Sequence, residues 1–319
     1  VRTHQRNLPL RVGTRASPLA LVQTRAFLAR LSGFCPVLRG MDVFEEHQIR
    51  TTGDMVQDRR LAEIGGKGLF AKEIHEALAE GRIDFAVHSL KDLETDLPDG
   101  IVLACTLKRE DARDALILPP GQQAAAGDPY GGLKFGALVG SSSVRRQAQM
   151  LHVRPDLRFA TLRGNVQTRL TKLAGGACDA TLLAYAGLRR LGLAEAASVV
   201  LEPEVMLPAA CQGIVGVTVR ADDGELRELL AAIEDREARA VSLAERGLLD
   251  ALDGSCRTPI GGYARVMADG RLHLSGLVAR EDGTFLLQRS GICAVGEAER
   301  LGRAMGAELR ADSPADLFG

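Results

Sequence analysis

Apolar and polar positions follow two rhythms along this chain, and the pattern changes at about residue 225. Leu8–Gly13, Ile83–His88 and Ile101–Leu107 are short apolar-rich runs bounded by turn residues, which predicts strands, and Glu45–Arg50 reads as a further one. Ser17-Pro18 opens a helix to about Leu31, with serine as N-cap and proline at the first helical position. Leu69, Phe70, Ile74, Ala77 and Leu78 recur at helical spacing, and Gly81 ends that stretch. Strand–helix–strand alternation predicts an α/β unit with a largely parallel sheet.

A second unit repeats the theme. Asp114–Leu118 reads as a strand, followed by the breaker-rich loop PPGQQAAAGDPYGG. Ala137–Gly140, Phe159–Leu162 and Ala180–Leu183 read as strands that lead to helices from Val144, from Val166 and through Arg190. VGTRASPLAL (12–21) and VGSSSVRRQA (139–148) share the order strand, glycine, hydroxyl, helix, which suggests two similar lobes. Beyond residue 225 two helical stretches, Glu225–Ile233 and Ala238–Leu252, precede a different pattern. Tyr263–Val266, Leu272–Ala279 and Phe285–Arg289 read as a small antiparallel sheet, and a helix follows from Glu297.

Composition narrows the class. A chain of 319 residues has room for two or three domains, and a net charge of −1 gives no global attraction to nucleic acid or anionic membrane. Only 6 of the 40 basic residues are lysine, leaving 40 − 6 = 34 arginines. Arginine-rich coding explains such a bias, and so does a need to bind many carboxylates, because the guanidinium fork pairs a carboxylate through two hydrogen bonds. The six cysteines include no CxxC pair, which argues against zinc and against a disulfide framework. The first residues hold no apolar signal core and no run of 18 apolar residues exists, so the expectation is a reduced, cytoplasmic protein that does not span a membrane.

Several stretches carry chemistry. The Ile83–His88 strand runs into HSLKDLETDLPDG, and polar groups at the carboxyl end of a parallel strand line the crevice where α/β folds bind ligands. Lys91 and Asp92 are therefore either an anion contact with an acid/base group or a solvated loop pair. In GSSSVRRQ, Arg145 and Arg146 occupy the first turn of a helix, where acids are preferred. Two arginines there fit a bound anion, or form a surface pair. In LRGNVQTRL, Asn165 is a helix cap with Arg163 before it and Arg169 one turn in. Arg15 and the pair Arg189-Arg190 add further arginines near strand–helix junctions. GGKGLF lacks the P-loop pattern, since Gly68 follows Lys67 and Leu61 holds the earlier glycine position, so it reads as a flexible lid segment. The six histidines show no metal spacing, and the absence of tryptophan argues against base-stacking platforms. Cys256 lies in GSCRTPIGGY, a turn-forming run, where the neighbouring Arg257 favours the nucleophilic thiolate.

Taken in order, RVGTRASPLAL, TTGD (51–54), IGGKGLFAKE, DFAVHSLKD, REDARDA, GSSSVRRQAQ, LRGNVQTRL, LAYAGLRRLGL, LPAACQGIVG and GSCRTPIGGY resemble the porphobilinogen deaminase family over nearly the whole chain. The resemblance implies an α/β fold of two type II periplasmic-binding-protein-like lobes plus a small C-terminal α+β domain. It implies 7–108 plus 209–224 as the first lobe, 109–208 as the second, and 225–319 as the C-terminal domain. It implies a dipyrromethane cofactor, built from two porphobilinogen units and held through a thioether on Cys256. Four porphobilinogen molecules are then joined head to tail, each losing ammonia, and hydroxymethylbilane is released. Asp92 matches the family's catalytic aspartate. Lys91, Ser143, Arg145 and Arg146 match cofactor contacts. Arg15, Ser17, Gln23, Arg163, Arg169 and Arg190 match substrate contacts. Gly65, Gly66, Lys67 and Phe70 match the lid. The resemblance further implies a monomer with no metal, no nucleic-acid partner and no membrane partner. Two departures stand out: Cys211 occupies a position usually held by glycine or another small residue, and HSLKDLET lacks the usual Val-Pro after Lys-Asp. Cys211 reads as a small buried residue rather than as the attachment site. The rival reading is a two-lobed solute-binding protein without catalysis, which has no use for Cys256.

Overall fold

The computed structural model describes residues 8–39, 43–55, 68–125, 127–252 and 258–318. The chain separates into two compact units, one of residues 1–55, 66–109 and 214–239, the other of residues 56–65, 110–213 and 240–319.

The first unit is built on strands β1 (Leu10–Arg15), β2 (Phe44–Ile49), β3 (Phe85–Ser89), β4 (Ile101–Thr106) and β10 (Val215–Arg220), in the order β2-β1-β3-β10-β4. β1 runs parallel to β2 and β3, whereas β10 is antiparallel to β3 and β4. The sheet is therefore mixed rather than largely parallel. The strand that breaks the pattern arrives from far down the sequence, and a local reading of strand and helix alternation does not register it. Helix α1 (Pro18–Phe34) starts where the sequence requires, with Ser17 as N-cap and Pro18 behind it. Its buried face is Gln23, Thr24, Phe27 and Leu31, a one-side spacing that seats it on the sheet. Phe27 meets Phe85 edge to face, with ring centroids 5.7 Å apart. A four-residue helix, α2 (Thr52–Met55), follows β2, and α3 (Lys72–Ala79) follows the Gly68–Ala71 segment. Ile74, Ala77 and Leu78 of α3 pack with Ile83, Ala86 and Ile101. Gly13 permits this, since a Cβ there would lie 2.3 Å from Ile83 Cδ1.

The second unit repeats the topology. β5 (Asp114–Ile117), β6 (Leu138–Gly140), β7 (Arg158–Ala160), β8 (Ala180–Ala184) and β9 (Val199–Leu201) pair in the order β7-β6-β8-β5-β9. Here too the first two pairings are parallel and the last two antiparallel. β1 and β6 hold equivalent places, which gives the VGTRAS and VGSSS echo a structural meaning. Gly140 is a close-approach position like Gly13, because a Cβ there would meet Cys178 Sγ at 2.7 Å. The helices are α4 (Val144–Val153) and α5 (Val166–Ala174), at the predicted starts, and α6 (Tyr185–Arg190), at the predicted end.

Helix α7 (Gly224–Ala231) belongs to the first unit, and α8 (Arg236–Ala251) follows it. In the second unit β11 (Ile260–Val266), β12 (Arg271–Ala279) and β13 (Leu286–Ala294) form an antiparallel sheet in that order, and α9 (Ala298–Ala311) closes the chain. Glycines let α9 pack tightly: a Cβ on Gly302 would lie 2.0 Å from the Ala244 carbonyl oxygen. Among the described residues, no helix is long and apolar enough to cross a membrane.

Candidate active site

In the first unit the functional side chains lie at the carboxyl ends of β1 and β3. Arg15 is the last residue of β1, and its guanidinium is held on three sides. Nε and Nη2 donate to the two oxygens of Asp54, at 3.2 and 2.5 Å. Nη1 donates to Asp92 Oδ2 at 3.4 Å. The ring of Phe70 lies beneath the guanidinium carbon, 4.2 Å from its centroid, in cation–π geometry. Burial alone would lower the Arg15 pKa, but the Asp54 hydrogen bond and the charges of Asp92 and Asp54 raise it, so the charge is secure. Burial would raise Asp54, and the contacts from Arg15 and Thr51 outweigh it and hold the carboxylate below its usual range. Thr51 Oγ1 donates to Asp54 Oδ2 at 2.8 Å.

Asp92 ends a short 3₁₀ turn, Leu90–Asp92, that follows β3 directly. Leu90 is buried and anchors the turn, its N–H bonded to the Ile214 carbonyl at 2.9 Å, while Lys91 is exposed and Asp92 half-buried. Ser17 spends its side chain on the α1 cap, accepting from Ala20 N at 3.3 Å. Gln23 is buried and its Oε1 accepts from Ser89 Oγ at 3.0 Å, which ties α1 to the end of β3. Of the lid residues, Phe70 lies against Arg15; Gly65, Gly66 and Lys67 lie outside the described residues.

The second unit gathers a different cluster. Ser143 caps α4, accepting from Arg146 N at 3.4 Å. Arg145 and Arg146 are both buried, and both converge on Asp114 of β5, which is fully buried. Arg145 Nη2 reaches Asp114 Oδ2 at 2.8 Å, and Arg146 Nη2 reaches Oδ1 at 2.7 Å. Their remaining arms are fixed on backbone, Arg145 Nη1 on Leu207 O at 2.6 Å and Arg146 Nη1 on Leu182 O at 2.9 Å. Arg146 Nε also reaches Oδ1 at 3.2 Å, and Gln212 Nε2 adds a fourth donor to Asp114 at 2.9 Å. Burial would raise the Asp114 pKa, yet the charges of Arg145 and Arg146 drive it far below the carboxylate range. Burial also lowers Arg145. Two guanidiniums thus share one carboxylate, and the cluster keeps one surplus positive charge. The sequence left open a surface pair or an anion site; the pair is not on the surface.

The other arginines are placed by helix termini. Asn165 caps α5 by accepting from Thr168 N at 2.9 Å, Arg163 before it is buried, and Arg169 Nε donates to Gly164 O at 2.9 Å. Arg190 ends α6 and donates to Gly213 O at 2.7 Å; burial lowers its pKa, opposed by Glu110. Arg189 is exposed and pairs with Glu110 at 3.2 Å. Cys256 lies outside the described residues. The five described cysteines form no disulfide. Cys105, Cys178 and Cys211 are buried, and burial pushes the Cys105 thiol up to about 12. Asp54, Asp114 and Gln212 were not among the residues singled out from the sequence, although TTGD, REDARDA and LPAACQG contain them.

Comparison with known proteins agrees with these features. Residues 10–228 match the family described as porphobilinogen deaminase, dipyromethane cofactor binding domain, and residues 239–311 match its C-terminal domain. The porphobilinogen deaminase of Paracoccus denitrificans is 47% identical over 97% of this chain and 96% of its own. That of Nitrobacter hamburgensis is 48% identical over 94% and 92%, and the chloroplastic enzyme of Oryza sativa 44% identical over 97% and 85%. Among solved structures, a double mutant of the Bordetella pertussis BvgS VFT2 domain aligns with 74% of this chain and 92% of its own, at 14% identity and a TM-score of 0.42. The matching families give no support to a solute-binding protein without catalysis.

Proposed function

The chain belongs to the porphobilinogen deaminase family, and from that premise we propose which of its residues carry the activity and how. The activity is that of a transferase, hydroxymethylbilane synthase, in tetrapyrrole biosynthesis: four porphobilinogens are condensed head to tail, ammonia leaves at each step, and the cofactor is dipyrromethane. When bound, that group supplies the nucleophilic pyrrole carbon from which the chain grows.

Cys256 holds the cofactor through a thioether. Its support is the match of GSCRTPIGGY to the family motif, together with the state of four of the five described thiols. Cys105, Cys178 and Cys211 are buried, and burial holds Cys178 and Cys293 as thiols by raising their pKa values. The residues present fit a polycarboxylate: Arg145 and Arg146 retain one positive charge beyond what Asp114 neutralises, and a carboxylate of the cofactor balances it. That surplus charge carries the reading. Ser143 and Lys91 stand beside it in role.

Arg15, Arg163, Arg169 and Arg190, with Ser17 and Gln23, receive the acetate and propionate groups of porphobilinogen. Substrate carboxylates are acceptors only, and guanidinium donors bind them through charge-assisted bonds. Asp92 works on the reacting ring. Loss of ammonia leaves an electron-poor carbon next to the pyrrole, and a fixed carboxylate near the ring N–H stabilises that positive charge. The same carboxylate assists the proton transfers that begin and end the step. Phe70 and the Gly65–Lys67 segment close over the reacting end. The enzyme acts in the cytoplasm as a monomer, without nucleic acid, and is organised as lobes 7–108 plus 209–224 and 109–208 with a C-terminal domain 225–319.

Intact-mass measurement tests the central assignment. The purified protein is expected to carry the mass of two pyrrole rings, Cys256→Ser to lose it, and Cys211→Ser to keep it. An unmodified wild-type mass that stays unmodified after incubation with porphobilinogen overturns the reading.

A further inference from the structure

Arg15 has a substrate-binding role by resemblance, yet all three of its guanidinium nitrogens donate to carboxylates of the protein itself. Asp54 takes Nε and Nη2 in a two-pronged grip, at 3.2 and 2.5 Å. Nη1 is then aimed at Asp92 Oδ2, 3.4 Å away. Asp54 is in turn fixed by Thr51 Oγ1 at 2.8 Å, and Phe70 covers one face of the guanidinium plane. A planar guanidinium gripped through one edge and stacked on one face has little rotational freedom left.

We infer that Asp54 is a positioning residue, which locks Arg15 so that its remaining nitrogen, Nη1, holds the Asp92 carboxylate in its working orientation. The inference rests on the proposed catalytic role of Asp92. Asp54 makes its contacts from the first turn after β2, and Arg15 and Asp92 from the ends of β1 and β3, so three neighbouring chain segments of one sheet meet at this single guanidinium. Asp54 is remote in sequence from both partners, which separates its effect from local disturbance of the Leu90–Asp92 turn.

The test is steady-state kinetics of Asp54→Asn in the cofactor-bearing enzyme, with cofactor occupancy read by intact mass and folding by thermal melting. Asparagine keeps the shape and removes the charge, and both Asp54 and Arg15 are partly exposed, so the fold is expected to survive. The expected result is a roughly ten-fold lower kcat with KM changed less than about two-fold, because the lost interaction acts on the reacting centre. Asp54→Glu, which keeps the charge, is expected to recover part of the loss. Three outcomes overturn the inference. An unchanged kcat means Asp54 does not position Asp92. A lower KM means Asp54 merely competes with substrate for Arg15. A higher KM at unchanged kcat means Arg15 serves substrate binding alone. Asp92→Asn is measured in parallel: if it keeps full kcat, the catalytic reading itself has failed, whereas its loss beside a wild-type-like Asp54→Asn sinks only the positioning role.

Discussion

Cys211 shows what a single residue hides in the sequence. Among the described residues it alone, glycines aside, has a positive φ, of 62°. Its backbone N–H donates to Glu245 Oε2 at 2.5 Å, and the other oxygen of that buried carboxylate takes the Ala264 N–H at 2.6 Å. A left-handed conformation costs a residue with a Cβ about 1 kcal/mol, which explains why glycine suits this position. Cys211→Gly relieves that strain while giving up a small buried side chain, so stability is expected to change by less than about 1 kcal/mol. Cys211→Val adds β-branching at positive φ and is expected to lose about 2 kcal/mol or more. Urea unfolding of both variants checks the contrast, and equal losses would show that burial rather than backbone strain governs the site. Burial of this cysteine was expected from the resemblance, in which glycine or another small residue usually holds the position. Its φ was not, because the anchor Glu245 lies 34 residues away.

Elements were legible wherever their signals are local. Ser17 and Asn165 cap their helices as the sequence reading requires, and Ser143 caps α4 in the same way, since a cap bonds within three residues of itself. β10 left no such mark: VGVTVR is buried on both faces over Val215–Val219, so it lacks alternation, and its partners are β3 and β4. The Arg145–Arg146 pair stayed ambiguous for the same reason, its partner Asp114 being on another strand. Helix α5 offers an element-scale test. Asn165→Ala removes the cap to Thr168 N and Thr168 Oγ1 and is expected to cost about 1 kcal/mol. Asn165→Asp keeps the cap and places a negative charge at the positive helix end, so stability is expected to hold or rise. The same charge stands beside Arg163 and Arg169 and competes with an incoming carboxylate, so KM is expected to rise several-fold. A rise in stability without a rise in KM would remove these two arginines from the substrate path.

At the scale of the whole molecule, two buried groups make acid the weak side of the fold. His88 is buried beside Thr218 Oγ1 at 2.9 Å and near the His75 ring, 5.6 Å away. Burial, with lesser repulsion from His75 and Arg15, depresses its pKa to about 3. A base with a depressed folded pKa binds its proton more readily when unfolded, so it favours unfolding as pH drops below about 6.5. Asp114 works over a lower window. Despite burial, Arg145 and Arg146 hold its folded pKa far below the unfolded value of about 3.9. Its contribution is therefore complete above about pH 4 and is lost progressively as pH falls from there towards the folded pKa. The expected profile has two limbs: stability declines by about 1.4 kcal/mol per pH unit from about pH 6.5, then more steeply below about pH 4. His88→Gln is expected to flatten the upper limb and keep the lower one. Asp114→Asn is expected to be weaker at neutral pH, because two buried arginines lose their anion, and to show a shallower fall in acid. Urea midpoints from pH 8 to pH 3 separate the two. A wild-type profile level down to pH 4 would mean that His88 is not held neutral by burial, and an unchanged acid limb in Asp114→Asn would mean that other carboxylates set it.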